Sequence, residues 1–226
     1  MYIYQVERDL LRNAINSNKG ILGGKVLDAG SGPNKKYQDI LKKGSKYVTL
    51  DIHPEFKPDI VGSVENIPVP DGDFDSVISV QVLGDLLRPE LAIKEFRRIV
   101  KPGGMVLITE GFMNELHGEP RDFWRFTPYG LSGLMEENGF KVVKAEIVGG
   151  FFTVIAQMKM RFLINILGLY DKRFLGRVFS KLFMLFGKLA MFLDKVFGSK
   201  AKRKFGLGVL VLAEAINDPK MFHKHD

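Results

Sequence analysis

The apolar positions of the chain fall into two alternating kinds of run. Short, nearly continuous runs of Val, Ile and Leu occur at 25–29, 46–51, 59–62, 75–80, 104–110, 140–149 and 206–215. Gly, Pro, Asp or Ser residues border most of them, the pattern of strands buried on both faces. Between them, at 4–17, 34–43, 89–100 and 127–138, the spacing predicts amphipathic helices. In the first of these Val6, Leu10 and Ala14 share one face, and the segment reads as a helix rather than a signal peptide. Strands alternating with helices predict an α/β fold: a mostly parallel sheet covered on both faces.

Residues 151–205 break that alternation. The stretches 154–169 and 171–197 predict two helices rich in Leu, Phe and Met. In the second, Arg177, Lys181, Lys188 and Lys195 recur at intervals of four and seven, forming one narrow basic stripe on an otherwise apolar cylinder. Charge changes the picture here. The chain carries a net +7, but 151–205 holds twelve Lys and Arg against Asp171 and Asp194, while the remainder holds 21 basic against 24 acidic residues. The same stretch holds ten of the 18 Phe. The longest charge-free run there is nine residues, 162–170, short of the ~18–20 needed to span a bilayer. A very apolar, basic-striped helix that cannot span suits an interfacial position, and the polybasic SKAKRKF at 199–205 would add attraction to anionic lipid. The competing readings are a lid on its own domain, or a dimer contact. A nucleic-acid surface fits less well, because these basic residues sit among Leu and Phe rather than in a polar groove.

With 226 residues and 46% apolar content, the chain suits one domain with an appendage. The expected division is a sheet domain from 1–150 and 205–218, inserted helices at 151–204, and a disordered tail at 219–226. Zero Cys excludes a disulfide framework and thiolate metal sites, and fits a cytoplasmic protein. His53, His223 and His225 have no ligand spacing, so no metal is expected.

The chemistry begins at 26–32, VLDAGSG. Gly30 and Gly32 allow a sharp turn and a close approach of backbone to ligand. About twenty residues on, a second strand ends in Asp51, where an acid typically takes ribose hydroxyls. No third glycine follows at the dinucleotide spacing, and no G-K-[ST] follows for a P-loop. Asp28 in the turn would repel a pyrophosphate but suits a cationic or zwitterionic ligand.

This D-x-G-x-G turn resembles motif I of class I S-adenosylmethionine (SAM) methyltransferases. The run 59–104, with PDGDFD before SVISV and KPGG before MVLITE, resembles the methyltransferase type-11 family nearly end to end. HGEPRDFWRFT at 117–127 resembles a bacterial and archaeal subgroup associated with surface glycans and lipid-linked sugars. The resemblance covers roughly 5–150 and 205–216. It implies a Rossmann-like sheet of seven strands, the last antiparallel, with SAM as cofactor.

On that resemblance the cofactor-binding candidates are Asp28 for the methionine ammonium, directly or through water, Gly30, Gly32, Asp51 for the ribose, Ile52 for the adenine, Ser63, Val64 and Gln81. Ser63 stands where the family often has Asp. Gly84-Asp85 stands where relatives usually carry Glu-His, so Asp85 becomes a tentative catalytic residue beside His117. An imidazole takes up protons near neutral pH and suits a general base. Glu119, Asp122, Trp124 and Arg125 are candidates for acceptor binding. Glu119 and Asp122 could instead order the loop, and Arg125 could pair with phosphate or a local carboxylate. The leading expectation is O-methylation of a glycan, lipid-linked sugar, lipid or quinone-like acceptor at the membrane surface. The alternatives are a soluble small-molecule enzyme with a helical lid, a non-catalytic SAM-binding or membrane-scaffold module, and an RNA methyltransferase. Against the last, SVQV lacks the polar-Pro-Pro-aromatic motif of base-amino methylases.

Overall fold

The computed structural model describes residues 3–33, 37–197 and 204–216. Seven strands form one sheet: β1 (Lys25–Ala29), β2 (Lys46–Asp51), β3 (Ile60–Val61), β4 (Phe74–Val80), β5 (Val100–Gly111), β6 (Phe140–Val148) and β7 (Gly208–Ala215). Their order is β3-β2-β1-β4-β5-β7-β6. β1 to β5 pair in parallel, whereas β7 runs antiparallel between β5 and β6. The expected seven-stranded, mostly parallel α/β fold is present. β6 and β7 pair from Phe140↔Ala215 to Val148↔Gly208 although the inserted helices separate them in sequence.

Strand residues alternate between two cores. Leu27, Val77, Val209 and Val211 face α2 (Pro89–Ile99) and α3 (Pro128–Glu137), where Ile93, Phe96, Leu131 and Met135 are fully buried. Val26, Ile78, Leu210 and Leu212 face α1 (Val6–Asn16) and its Ile15. Burial on both faces explains why these strands read as continuous apolar runs.

The expected helix at 34–43 does not form over its described part. Residues 34–36 lie outside the described residues, and the rest is one 3-10 turn, Gln38–Ile40. Its backbone is claimed by the segment after α1: Gly20 N donates to Ile40 O (2.8 Å) and Lys42 N to Leu22 O (2.9 Å). Ile40 and Leu41 are buried there, so tertiary pairing overrides local periodicity.

The insertion folds as α4 (Phe151–Leu167) and α5 (Arg173–Phe197). Its acid Asp194 is buried rather than part of a solvated face. It accepts from Phe152 N (2.9 Å), Thr153 N (3.0 Å) and Thr153 Oγ1 (2.7 Å), so α5 caps the start of α4. Val154, Met160, Ile164, Phe183 and Ala190 close a third core against Ile3, Tyr4 and Val6. Gly187 brings α5 so near Tyr4 that a Cβ would lie 2.8 Å from the ring. The opposite face of α5 is different: Phe174, Val178, Leu185, Leu189, Phe192 and Val196 are 41–78% exposed. Arg177, Lys181, Lys188 and Lys195 run beside that face. No helix among the described residues is long and apolar enough to cross a membrane. The tail at 219–226 and residues 199–203 of the basic patch lie outside the described residues.

Candidate active site

Loops at the carboxyl ends of β1, β2 and β4 enclose a cavity of about 640 Å³. Gly30 and Gly32 have φ of +80° and +64°, and a Cβ on Gly30 would collide with Val82. The N–H groups of Gly30 and Ser31 donate to Leu50 O (2.8 and 3.1 Å). Gly32 N donates to one Asp51 carboxylate oxygen (2.8 Å) and His53 N to the other (3.0 Å). The first turn and the end of β2 are therefore one hydrogen-bonded unit. The cavity wall carries Gly30, Gly32, Asp51, Ile52, Ser63, Val64 and Gln81, together with Asp85 and Arg121.

These residues fit SAM. Each Asp51 oxygen already accepts one backbone N–H, and a carboxylate with about four acceptor positions keeps capacity for a ribose diol. Ile52, 54% exposed on the wall, offers a flat apolar surface to a base. Asp28 is the exception. It is 1% exposed, lies off this wall and accepts the Tyr47 hydroxyl. Burial first and the Asp28 charge second push the Tyr37 hydroxyl up to about 12, and Tyr47 upward as well. Tyr47 thus engages one Asp28 oxygen beneath the first turn. Ser63 Oγ accepts from Glu65 N (3.1 Å), closing its own turn.

Gln81, immediately after β4, adopts φ +57°, a conformation that costs a non-glycine residue energy and tends to persist at functional sites. The turn that follows is held from below by Glu110 at the end of β5. Its fully buried carboxyl accepts from Val82 N (3.0 Å), Leu83 N (2.8 Å) and Gly84 N (3.1 Å). Burial pushes Glu110 up to about 7, against the lowering effect of those three N–H groups. Gly84 O in turn accepts from Phe123 N (2.9 Å) and Trp124 N (3.1 Å). The Gly84-Asp85 departure thus has a structural role: its backbone docks the 117–127 loop. Nothing local in the sequence marked Glu110, because its burial under the turn is a product of the fold.

Within that loop, Asp122 and Arg125 hold each other. Arg125 Nη1 and Nη2 donate to the two Asp122 oxygens (2.5 and 2.8 Å), and the Asp122 side chain is 2% exposed. Arg125 holds Asp122 down at about 2. Arg125 Nη2 also donates to Glu115 O (2.7 Å), and Asp122 accepts from His117 N (2.8 Å). Of the two partners open to Arg125, the structure gives it the local carboxylate. Thr127 caps α3, its hydroxyl accepting from Gly130 N (3.0 Å). Glu119 and Trp124 are exposed, and neither lies on a cavity wall described here.

The folded loop brings His117, Asp85 and Asp122 together, their ligand-type atoms within 4.8 Å of one another. A cation there would compete with the bidentate Arg125 guanidinium, so the cluster suits proton handling better than metal binding. Burial raises Asp85. In the tautomer with Nδ1–H toward Glu115 O (3.4 Å), His117 Nε2 is the basic nitrogen.

A second cavity of about 700 Å³ opens on the other side of Gln81, between α1, α4 and the post-β5 loop. Gln5, Glu7, Asn114, Glu115, His117 and Arg161 are on its wall, none but His117 expected from the sequence. Gln81 lines both cavities.

An open α/β sheet with a nucleoside-sized cleft beyond its carboxyl ends defines the class as a Rossmann-like nucleoside-cofactor protein. The methyltransferase-domain family model matches residues 27–108. A protein of Encephalitozoon cuniculi described as a methyltransferase is 30% identical over 148 residues, 52% of this chain and 70% of its own length. Malonyl-[acyl-carrier protein] O-methyltransferase of Erwinia billingiae is 33% identical over 111 residues, 42% of each chain. A chain of the Haloferax volcanii complex of the Trm112 methyltransferase activator with a methyltransferase superposes at TM-score 0.60. It has 17% identity, covering 97% of this chain and 92% of that one. The protein belongs to the SAM-dependent methyltransferase-domain family. It spans about two fifths of the length of the first curated relatives it matches.

Proposed function

We propose that this protein transfers the methyl group of SAM to a hydroxyl oxygen of a glycan, lipid-linked sugar, lipid or quinone-like acceptor at a membrane surface. The observation that carries the reading is Gln81: a residue in a costly backbone conformation on the wall shared by two cavities. One cavity suits the cofactor, through Gly30, Gly32, Asp51, Ile52, Ser63 and Val64. The other is left for the acceptor. SAM, when bound, supplies an activated methyl group and leaves as a neutral thioether.

The chain's own contribution is to hold both partners at the shared wall, which favours in-line displacement by proximity. The acceptor oxygen gains the methyl and loses a proton, which His117 takes up. Asp85 and Asp122 then face the imidazolium and stabilise it. The exposed apolar face of α5 and its basic stripe support a position at an anionic lipid surface. A second reading, a soluble enzyme with a helical lid, is favoured by one observation: Arg161 of α4 already lines the second cavity.

Calorimetric titration with SAM, followed by label transfer from methyl-labelled SAM into lysate fractions, tests the proposal. Asp51→Ala should weaken SAM binding about tenfold or more, because the ribose loses a charged acceptor and the first turn loses its anchor. Label should enter an organic-extractable fraction. Unchanged SAM affinity in the variant would remove Asp51 from the site. Label confined to water-soluble small molecules would favour the lid, and SAM binding without transfer would leave a module without chemistry.

A further inference from the structure

At the end of β5, three consecutive residues each hold one part of the apparatus around the two cavities. Thr109 O accepts from Gln81 N (2.8 Å), fixing the residue that both cavities share. Gly111 O accepts from Phe126 N (2.9 Å), near the end of the 117–127 loop. Between them, Glu110 acts through its side chain. Its Oε1 accepts from Val82 N and Leu83 N, and its Oε2 accepts from Gly84 N. Successive backbone N–H groups of this kind form a concave place for an anion, and here the chain supplies the anion itself. Glu110 is 1% exposed and lies on neither of the two cavity walls described above.

Gly84 passes this hold on to the loop. Its carbonyl accepts from Phe123 N and Trp124 N, and the same loop carries His117, whose N–H donates to Asp122. A Cβ on residue 84 would lie 3.2 Å from Trp124 O and 3.4 Å from Glu110 Oε2. A side chain there would press on the loop from one side and on the carboxyl from the other. The buried acid below and the bare backbone above therefore belong to one joint.

Resting on the methyl-transfer reading above, we propose that Glu110 is a positioning residue for the reaction: through the Val82–Gly84 turn it sets the loop that carries His117 against the cofactor wall. Its two oxygens divide this role. Oε1 holds the turn directly after Gln81, where Val82 lines the cofactor cavity. Oε2 holds Gly84, the docking point of the loop. A neutral amide separates the two functions. Its oxygen can keep the Val82 and Leu83 N–H groups, but its NH2 is a donor and meets another donor at Gly84. Glu110→Gln should therefore loosen the loop and spare the cofactor side.

Three readouts on the full chain decide the matter. Trp124 is the only Trp, so its fluorescence reports the loop without a label. In Glu110→Gln, acrylamide quenching of Trp124 should rise about twofold as the loop loosens. Calorimetric SAM affinity should stay within about threefold. Label transfer from methyl-labelled SAM into a host-lysate extract, counted per SAM-binding site, should fall about tenfold or more, because a small misplacement of a reacting group is costly. Counting per site removes any loss of folded protein, which is all that a merely structural role would produce. Gly84→Ala presses on the same joint from the other side and should give the same pattern; it decides alone if Glu110→Gln does not fold. Unchanged quenching and an unchanged rate per site overturn the proposal while methyl transfer by the parent stands. A loss of SAM affinity as large as the loss of rate overturns it too, because Glu110 would then support the cofactor alone. No transfer by the parent ends the methyl-transfer reading, and the proposal with it.

Discussion

The cofactor edge of the sheet and the inserted helices solve opposite problems. At the edge, short loops carry many backbone polar groups, and buried carboxylates satisfy them. Asp51 takes two N–H groups and Glu110 takes three. Precision there comes from fixed hydrogen bonds, which suits a site that must hold two reactants in line. In the insertion one carboxylate, Asp194, does the same for the start of α4, and nearly all else is side-chain packing. That packing uses one face of α5. The face of α5 turned away from Tyr4 and Val6 leaves six large apolar side chains 41–78% exposed. Contiguous apolar exposure of that size marks an interaction surface, whereas the rigid edge marks chemistry.

The sharpest way to break this contrast is at His117. If the edge is where chemistry happens, His117→Ala should lower turnover about 100-fold while SAM affinity stays within twofold, since a general base acts in the transition state. Full turnover across pH 6–9 in the variant would show that the proton leaves by another route.

Glu110 comes next. Its carboxyl is raised to about 7 in the folded chain from an ordinary value of 4.5. Between those values the folded state holds a proton that the unfolded chain has released, so stability should fall as pH rises across that window. The parent protein should lose on the order of 2 kcal/mol between about pH 5 and pH 8. Glu110→Gln should start lower, because an amide oxygen cannot serve three N–H groups, but should lose much less with pH. Equal slopes in chemical denaturation of the two proteins would break the assignment.

The smallest expected effect belongs to the insertion. Vesicles containing anionic lipid should co-sediment the protein at low salt. Binding should fall several-fold, without vanishing, as salt rises to about 0.5 M, because screening weakens the lysine contribution and leaves the apolar one. Replacing Lys181, Lys188 and Lys195 with Gln should weaken binding further. Protein that stays in the supernatant and is monodisperse without detergent would turn the comparison around. The exposed face would then serve a lid motion or a partner chain.

Much of the edge was legible in the sequence. VLDAGSG and Asp51 announce a nucleoside cleft because backbone approach and ribose binding each demand a particular residue type at a particular strand end. The strand runs announced the sheet because burial on both faces leaves little room for polar residues. The Tyr47 partner of Asp28 was hidden from a linear reading, because strand pairing chooses it. Residues 37–43 misled: their helical spacing lost to hydrogen bonds with Gly20 and Leu22.

The sequence by itself therefore determined the α/β alternation, the cofactor turn, and the existence of two apolar, basic-striped helices. Each of these follows from local spacing, which a linear reading can see. Tertiary structure alone decided that Glu110 supports the Gly84 turn and that Arg125 clamps Asp122. It alone set Glu7, Asn114 and Glu115 around one cavity with Arg161 of the insertion. These groups are separated by as many as 154 residues, from Glu7 to Arg161, and meet only when the sheet stacks its loops at one edge. Burial and the need to satisfy every buried polar group then fix their roles, and neither quantity exists until the chain has folded.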